Sequence, residues 1–128
     1  HVFSMILDSV YDKCTSAVRT VDRMLSENIV SVTDSFELTE KLPSRLAWFY
    51  KGNTEIVDKN TVKIEANNST CILTFESDNE YTISFDYYSE KGMLDRNFKP
   101  MHPEEYPYIC INLEESEFIH INTTFKFQ

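Results

Sequence analysis

"VFSMILDSVYDKCTSAVRTVDRMLSE", residues 2–27, is the stretch on which the fold class turns. Phe3, Leu7, Val10, Cys14, Ala17, Val21 and Met24 recur at alternating steps of four and three. Such steps put them on one stripe of an α-helix. Ile6, Val18 and Leu25 widen the stripe beyond the narrow seam of a two-stranded coiled coil. The spacing predicts an amphipathic helix over 2–27 laid against a sheet. A helical stalk ending near Asn28 is the competing reading.

Further along, Glu40–Tyr50 carries Leu42, Leu46, Phe49 and Tyr50 at helical spacing, with Pro43 in a first turn. Gly52 then reads as the left-handed residue that stops a second helix. After Asn53 the apolar period falls to two. "TEIVD", "TVKIEA", "STCILTFES" and "EYTISFDYYSE" read as strands, the last two joined as a hairpin across Ser77–Asn79. Residues 89–107 hold three of the four prolines and Gly92, and read as the longest loop. "YICINLEE" and "EFIHINTTFKFQ" read as a second hairpin across Glu114–Glu117. The expected fold is α+β: two N-terminal helices packed on a curved antiparallel sheet, with residues 1–128 as one domain.

Composition narrows function. The chain has 12 Lys and Arg against 21 Asp and Glu, a net charge of −9. A phosphate backbone repels such a surface, so direct nucleic-acid binding is not expected. Two glycines, Gly52 and Gly92, are too few for a nucleotide-cradling loop, and no cofactor motif is present. Cys14, Cys71 and Cys110 have neither zinc spacing nor an even count, which points to reduced thiols in an intracellular protein and to no metal. The sequons at Asn67, Asn68 and Asn122 support secretion as the lesser reading. No apolar run has transmembrane length, so no membrane partner is expected, and the compartment expected is cytoplasmic or nuclear.

Two segments carry a family resemblance. "RLAWFYKGNTEIV" (45–57) and "YICINLEESEFIHINTTFKFQ" (108–128) together resemble nuclear transport factor 2-like domains of the protein-binding branch. That resemblance implies a cone-like sheet around the helices, and a final strand whose His120, Asn122 and Phe125 serve partner contact. It also implies a homo- or heterodimer formed through the sheet, a partner peptide such as a phenylalanine-rich one, and a setting in nuclear transport or mRNA export.

The residues themselves offer little catalysis. His102 sits in the proline loop, and His120 stands on a strand beside Asn122 and Thr124. Asp86, among Phe85, Tyr87 and Tyr88, is the best position for a cavity acid of an isomerase-like enzyme. Its alternation with Thr82 and Ser84 turns it outward instead, as burying a lone carboxylate costs several kcal/mol. Glu55, Glu65 and Glu76 are further strand carboxylates. Cys110 reads as packing. The stronger signal is aromatic: Tyr88, Tyr106 and Tyr108 flank the long loop, and tyrosine is enriched at interfaces. The sequence reading is a non-enzymatic interaction domain with Tyr88, Tyr106, Tyr108, His120, Asn122 and Phe125 at its partner surface. A coiled-coil-stalked adaptor head of the kinetochore or tethering type, and a small cavity enzyme, are the alternatives.

Overall fold

The computed structural model describes residues 2–6, 12–89, 96–98 and 105–128. Eight strands make one antiparallel sheet: β1 (Val2–Ile6), β2 (Cys14–Met24), β3 (Ile29–Phe49), β4 (Asn53–Asp58), β5 (Thr61–Ala66), β6 (Ser69–Ser77), β7 (Tyr81–Ser89) and β8 (Glu105–Phe127). Their order is β1-β2-β3-β8-β6-β5-β4, with β7 also on β8. Among the described residues the sole helical element is a 3-10 turn at Leu25–Glu27. The expectation of α+β architecture with two N-terminal helices is thus overturned, and with it the cone implied by the resemblance to nuclear transport factor 2.

The described residues of both misread segments lie mostly in strands, and the inward rows of β2 and of the first half of β3 are interrupted by charge. In β3 the inward positions are Val30, Val32, Asp34, Phe36 and Leu38, a period-two row broken only by Asp34. Asp34 is fully buried and takes Arg19 Nε at 2.6 Å and Nη2 at 3.0 Å on its two carboxylate oxygens. Arg19 does the same to β2, standing between Ala17 and Val21 on the inward row. A paired charge is what the interior tolerates, and two of them at core positions erased the strand signature. Leu42, Leu46 and Tyr50 satisfy both periods, but Trp48, packed on the core beside Leu46 and Tyr50, belongs to the strand period alone.

β3 and β8 run antiparallel from Ile29↔Lys126 to Phe49↔Tyr108, with register shifts between Glu37 and Ser44. At those shifts the ribbon bends back on itself. One half carries β2 and β1 on β3, and β6, β5 and β4 on β8. The other half is three strands wide: Ser44–Phe49 of β3, Tyr108–Leu113 of β8, and β7. The halves close as a sandwich. Val62, Leu73, Phe75, Ile119 and Ile121 from the wide half meet Ile109, Ile111 and Leu113 from the narrow one in a single buried cluster. Trp48 crosses the gap to Phe125, edge to face at 5.0 Å.

The expected hairpins do not form. β6 and β7 pair with successive stretches of the same edge of β8, Cys71–Ser77 with Ile121–Phe127 and Tyr81–Ser89 with Glu105–Leu113. Tyr108–Leu113 and Phe118–Phe127 are two parts of the single strand β8. Where β8 changes partner, the Asn79 side chain stands in for a strand. Its Nδ2 donates to Phe118 O at 2.8 Å, and its Oδ1 accepts from His120 N at 3.0 Å. Asn79→Ala leaves both backbone groups without that partner and is expected to cost about 1–3 kcal/mol in urea unfolding. Asn79→Asp, which keeps only the acceptor, should fall between.

The tight β5–β6 turn explains a pair of sequons differently. Asn67 and Asn68 both have positive φ, 50° and 63°, between the paired residues Ala66 and Ser69. A two-residue hairpin of this hand needs φ > 0 at both positions, which asparagine tolerates better than most residues. Gly52 has φ 123° and would set a Cβ 2.3 Å from Glu65 O, so glycine there serves a β3–β4 turn instead of ending a helix.

Candidate functional site: an aromatic face on the narrow half of the sandwich

Alternation along the narrow half sends Leu46, Trp48, Ile109, Ile111 and Leu113 inward, and so turns Arg45, Ala47 and Phe49 outward on β3. On β8 the outward row is Tyr106, Tyr108, Cys110 and Asn112; on β7 it is Thr82, Ser84, Asp86 and Tyr88. The register then fixes neighbours. Tyr108 lies between Phe49 and Asp86, and Tyr106 lies opposite Tyr88. Phe49 and Tyr108 rings sit 5.3 Å apart and tilted, and those of Tyr88 and Tyr106 6.4 Å apart. Two aromatic pairs therefore share one face, with Tyr106 and Tyr108 two residues apart on β8. Phe49 remains 62% exposed and Tyr88 53%, which is large apolar area for a surface.

Beside the rings is a small polar cluster. Arg45 Nε donates to Cys110 Sγ at 3.1 Å, and Cys110 Sγ to Asn112 Oδ1 at 3.3 Å. Asn112 Nδ2 donates to Ser84 Oγ at 2.9 Å. The Cys110 contact holds the Arg45 guanidinium above its usual value. Arg45 Nη2 stands 3.7 Å from Asp86 Oδ2, both side chains more than half exposed. Asp86 Oδ1 accepts from its neighbour's Tyr87 N at 2.8 Å. Asp86 is thus an outward group loosely paired with arginine. Cys110 is buried under that arginine. The face offers stacking area, phenolic hydroxyls and one weakly held ion pair, which is recognition chemistry.

The six sequence candidates do not make one site. Tyr88, Tyr106 and Tyr108 come together here. Phe125 points the other way, half-buried against Trp48 in the core. His120 and Asn122 lie on the outer face of the wide half. There Ser35 Oγ meets His120 Nδ1 at 2.8 Å, and Asn122 Nδ2 donates to Ser31 Oγ and Thr33 Oγ1, each at 2.8 Å. The Asn122 amide is therefore engaged within the sheet. Glu55 and Glu76 are exposed, and Glu65 pairs with Lys63. His102 lies outside the described residues. Among the described residues no group of three His, Cys, Asp or Glu could hold a metal ion.

Phe49 and Arg45 were missed as surface residues. Their signal was present in the phase: Arg45, Ala47 and Phe49 alternate against Leu46, Trp48 and Tyr50. A helical reading scattered them around a cylinder.

No protein-family model matches the chain, and no curated protein matches it. Solved structures do. The fold is similar to a heparinase III, with TM-score 0.75 and 14% identity over 98% of this chain and 19% of that one. It is also similar to the heparan sulfate lyase HepC from Pedobacter heparinus, with TM-score 0.72 and 10% identity over 98% of this chain and 19% of that one. The likeness at these identities is one of fold, and it replaces the resemblance to nuclear transport factor 2 and the transport and export setting drawn from it. The chain spans about a fifth of the length of the structures it resembles.

Proposed function

We propose that this chain is a β-sandwich interaction module of a larger polysaccharide lyase of the heparinase kind. It seats on the catalytic body through the face made by Phe49, Tyr108, Tyr106 and Tyr88, and contributes no catalytic group of its own. The observation that carries this reading is the match of nearly the whole chain to a fifth of a heparinase III. The aromatic face supports it, since exposed contiguous apolar area marks contact surfaces and tyrosine and arginine are favoured there. Charge supports docking over holding the polymer. A module of net charge −9 has the same sign as a sulfated polysaccharide and repels it at long range.

The chain alone, incubated with heparan sulfate, is expected to release no unsaturated uronate product. A heparin column at about 0.15 M salt, where surface charges still act over about 8 Å, should not retain it. Cleavage by the isolated chain would remove the proposal. The docking face is tested by hydrogen exchange in the protein that carries this chain beside a catalytic body. Amides of Phe49 and Tyr106–Asn112 should exchange more slowly there than in the chain alone, and equal rates would assign the contact elsewhere.

A further inference from the structure

At the bend of β3 the sandwich stays open around a cavity of about 460 Å³. Phe36, Leu38, Leu42, Leu46, Leu113 and Ile119 line it, and the first four are only half-buried. Protein interiors leave few voids larger than a water molecule, whereas openings of roughly 300–1,000 Å³ with apolar walls hold small molecules. Lys13, Arg19 and Arg45 line the cavity and, among the described residues, no Asp or Glu lines it, with Glu40 paired to Lys13 at its edge, in a chain where acids outnumber bases 21 to 12.

The cations differ. Arg19 is committed to buried Asp34 and stacks over Trp48 at 5.0 Å. Lys13 Nζ rests 3.0 Å from Glu40 Oε1 with both side chains more than half exposed. Exposed pairs of this kind contribute little, so Lys13 is able to exchange Glu40 for another anion. Arg45 also borders the cavity, but its guanidinium is engaged on the opposite face at Cys110.

We propose that this cavity binds an amphipathic monoanion: an unbranched acyl chain over Leu42 and Leu46, with its carboxylate at Lys13. The site is separate from the aromatic face and stands or falls without it.

Calorimetric titration with octanoate, decanoate and dodecanoate, each below its micellar concentration, tests the idea. Each methylene buried should tighten binding about fourfold until the cavity is full. Lys13→Glu should weaken decanoate several-fold and leave decanol unchanged. Leu42→Arg should abolish both, and Leu46→Trp, which fills the same space without charge, serves if that variant does not fold. Far-UV circular dichroism checks each variant. Absence of saturable decanoate binding overturns the proposal. So does decanol binding as tightly as decanoate, or a heparan sulfate oligosaccharide competing for the site in place of the acyl anion.

Discussion

Asp34→Ala is expected to cost about 3–5 kcal/mol, because removing one member of a buried ion pair leaves the other charge uncompensated. The carboxylate has no solvent access, and both of its oxygens are bound by Arg19 at 2.6 and 3.0 Å. The Arg19 side chain is 27% exposed and lies over the Trp48 ring, so without Asp34 a guanidinium is held between the sandwich halves. The pair need not be net stabilising. Replacing both members together, Arg19→Met with Asp34→Leu, should recover most of the loss, as apolar substitutes for buried pairs are often neutral or better. Urea unfolding of the two single variants and the double variant gives the coupling. A loss under about 1 kcal/mol for Asp34→Ala would mean that water reaches the carboxylate and that β2 and β3 are not locked as described.

The same pair explains where the sequence was opaque. β2 and β3 carry their core faces as Ala17-Arg19-Val21 and Val30-Val32-Asp34-Phe36-Leu38. A charge at the centre of each row looks like a solvent position until its partner, 15 residues away, is known. Helical spacing then competed and won, since steps of three and four also connect Phe3, Leu7, Val10, Cys14, Ala17, Val21 and Met24. Nothing local distinguished the two periods. The ladders decided: β2 pairs with β1 and β3, and β3 pairs in turn with the distant β8.

Downstream the strands were legible one by one. β4, β5, β6 and β7 fall where period-two alternation put them, and the inward rows of the last three (Val62 and Ile64, Leu73 and Phe75, Tyr81 and Ile83) carry no charge. Their pairing was not legible. A short Ser77–Glu80 link ordinarily makes a hairpin, yet here β6 and β7 follow one another along β8 with Asn79 patching the step. That arrangement depends on β8 being 23 residues long, and the acidic run Glu114–Glu117 read as a turn instead of a bend. The aromatic trio was expected from composition and loop proximity, and the fold places its members on one face. Phe125 was assigned to the surface on a resemblance, and its strand phase, shared with Ile119 and Ile121, already turned it inward.

That phase argument has a sharp test in two phenylalanines on adjacent central strands. Phe75 is 1% exposed on β6, opposite Thr123 of β8 and within the cluster that joins the two halves. Its backbone is fixed on both sides, the N–H donating to Asn60 O at 2.8 Å and the carbonyl accepting the Tyr81 hydroxyl at 3.0 Å. With the backbone so held, the walls cannot close on a smaller side chain, and Phe75→Ala should cost about 3–5 kcal/mol. Phe118 lies on the opposite phase of β8 and is 64% exposed, so Phe118→Ala should change stability by no more than about 0.5 kcal/mol. Equal losses in urea unfolding would count against this phase, and a difference of several kcal/mol is what a sheet inward at Phe75 and Ile119 and outward at Phe118 requires.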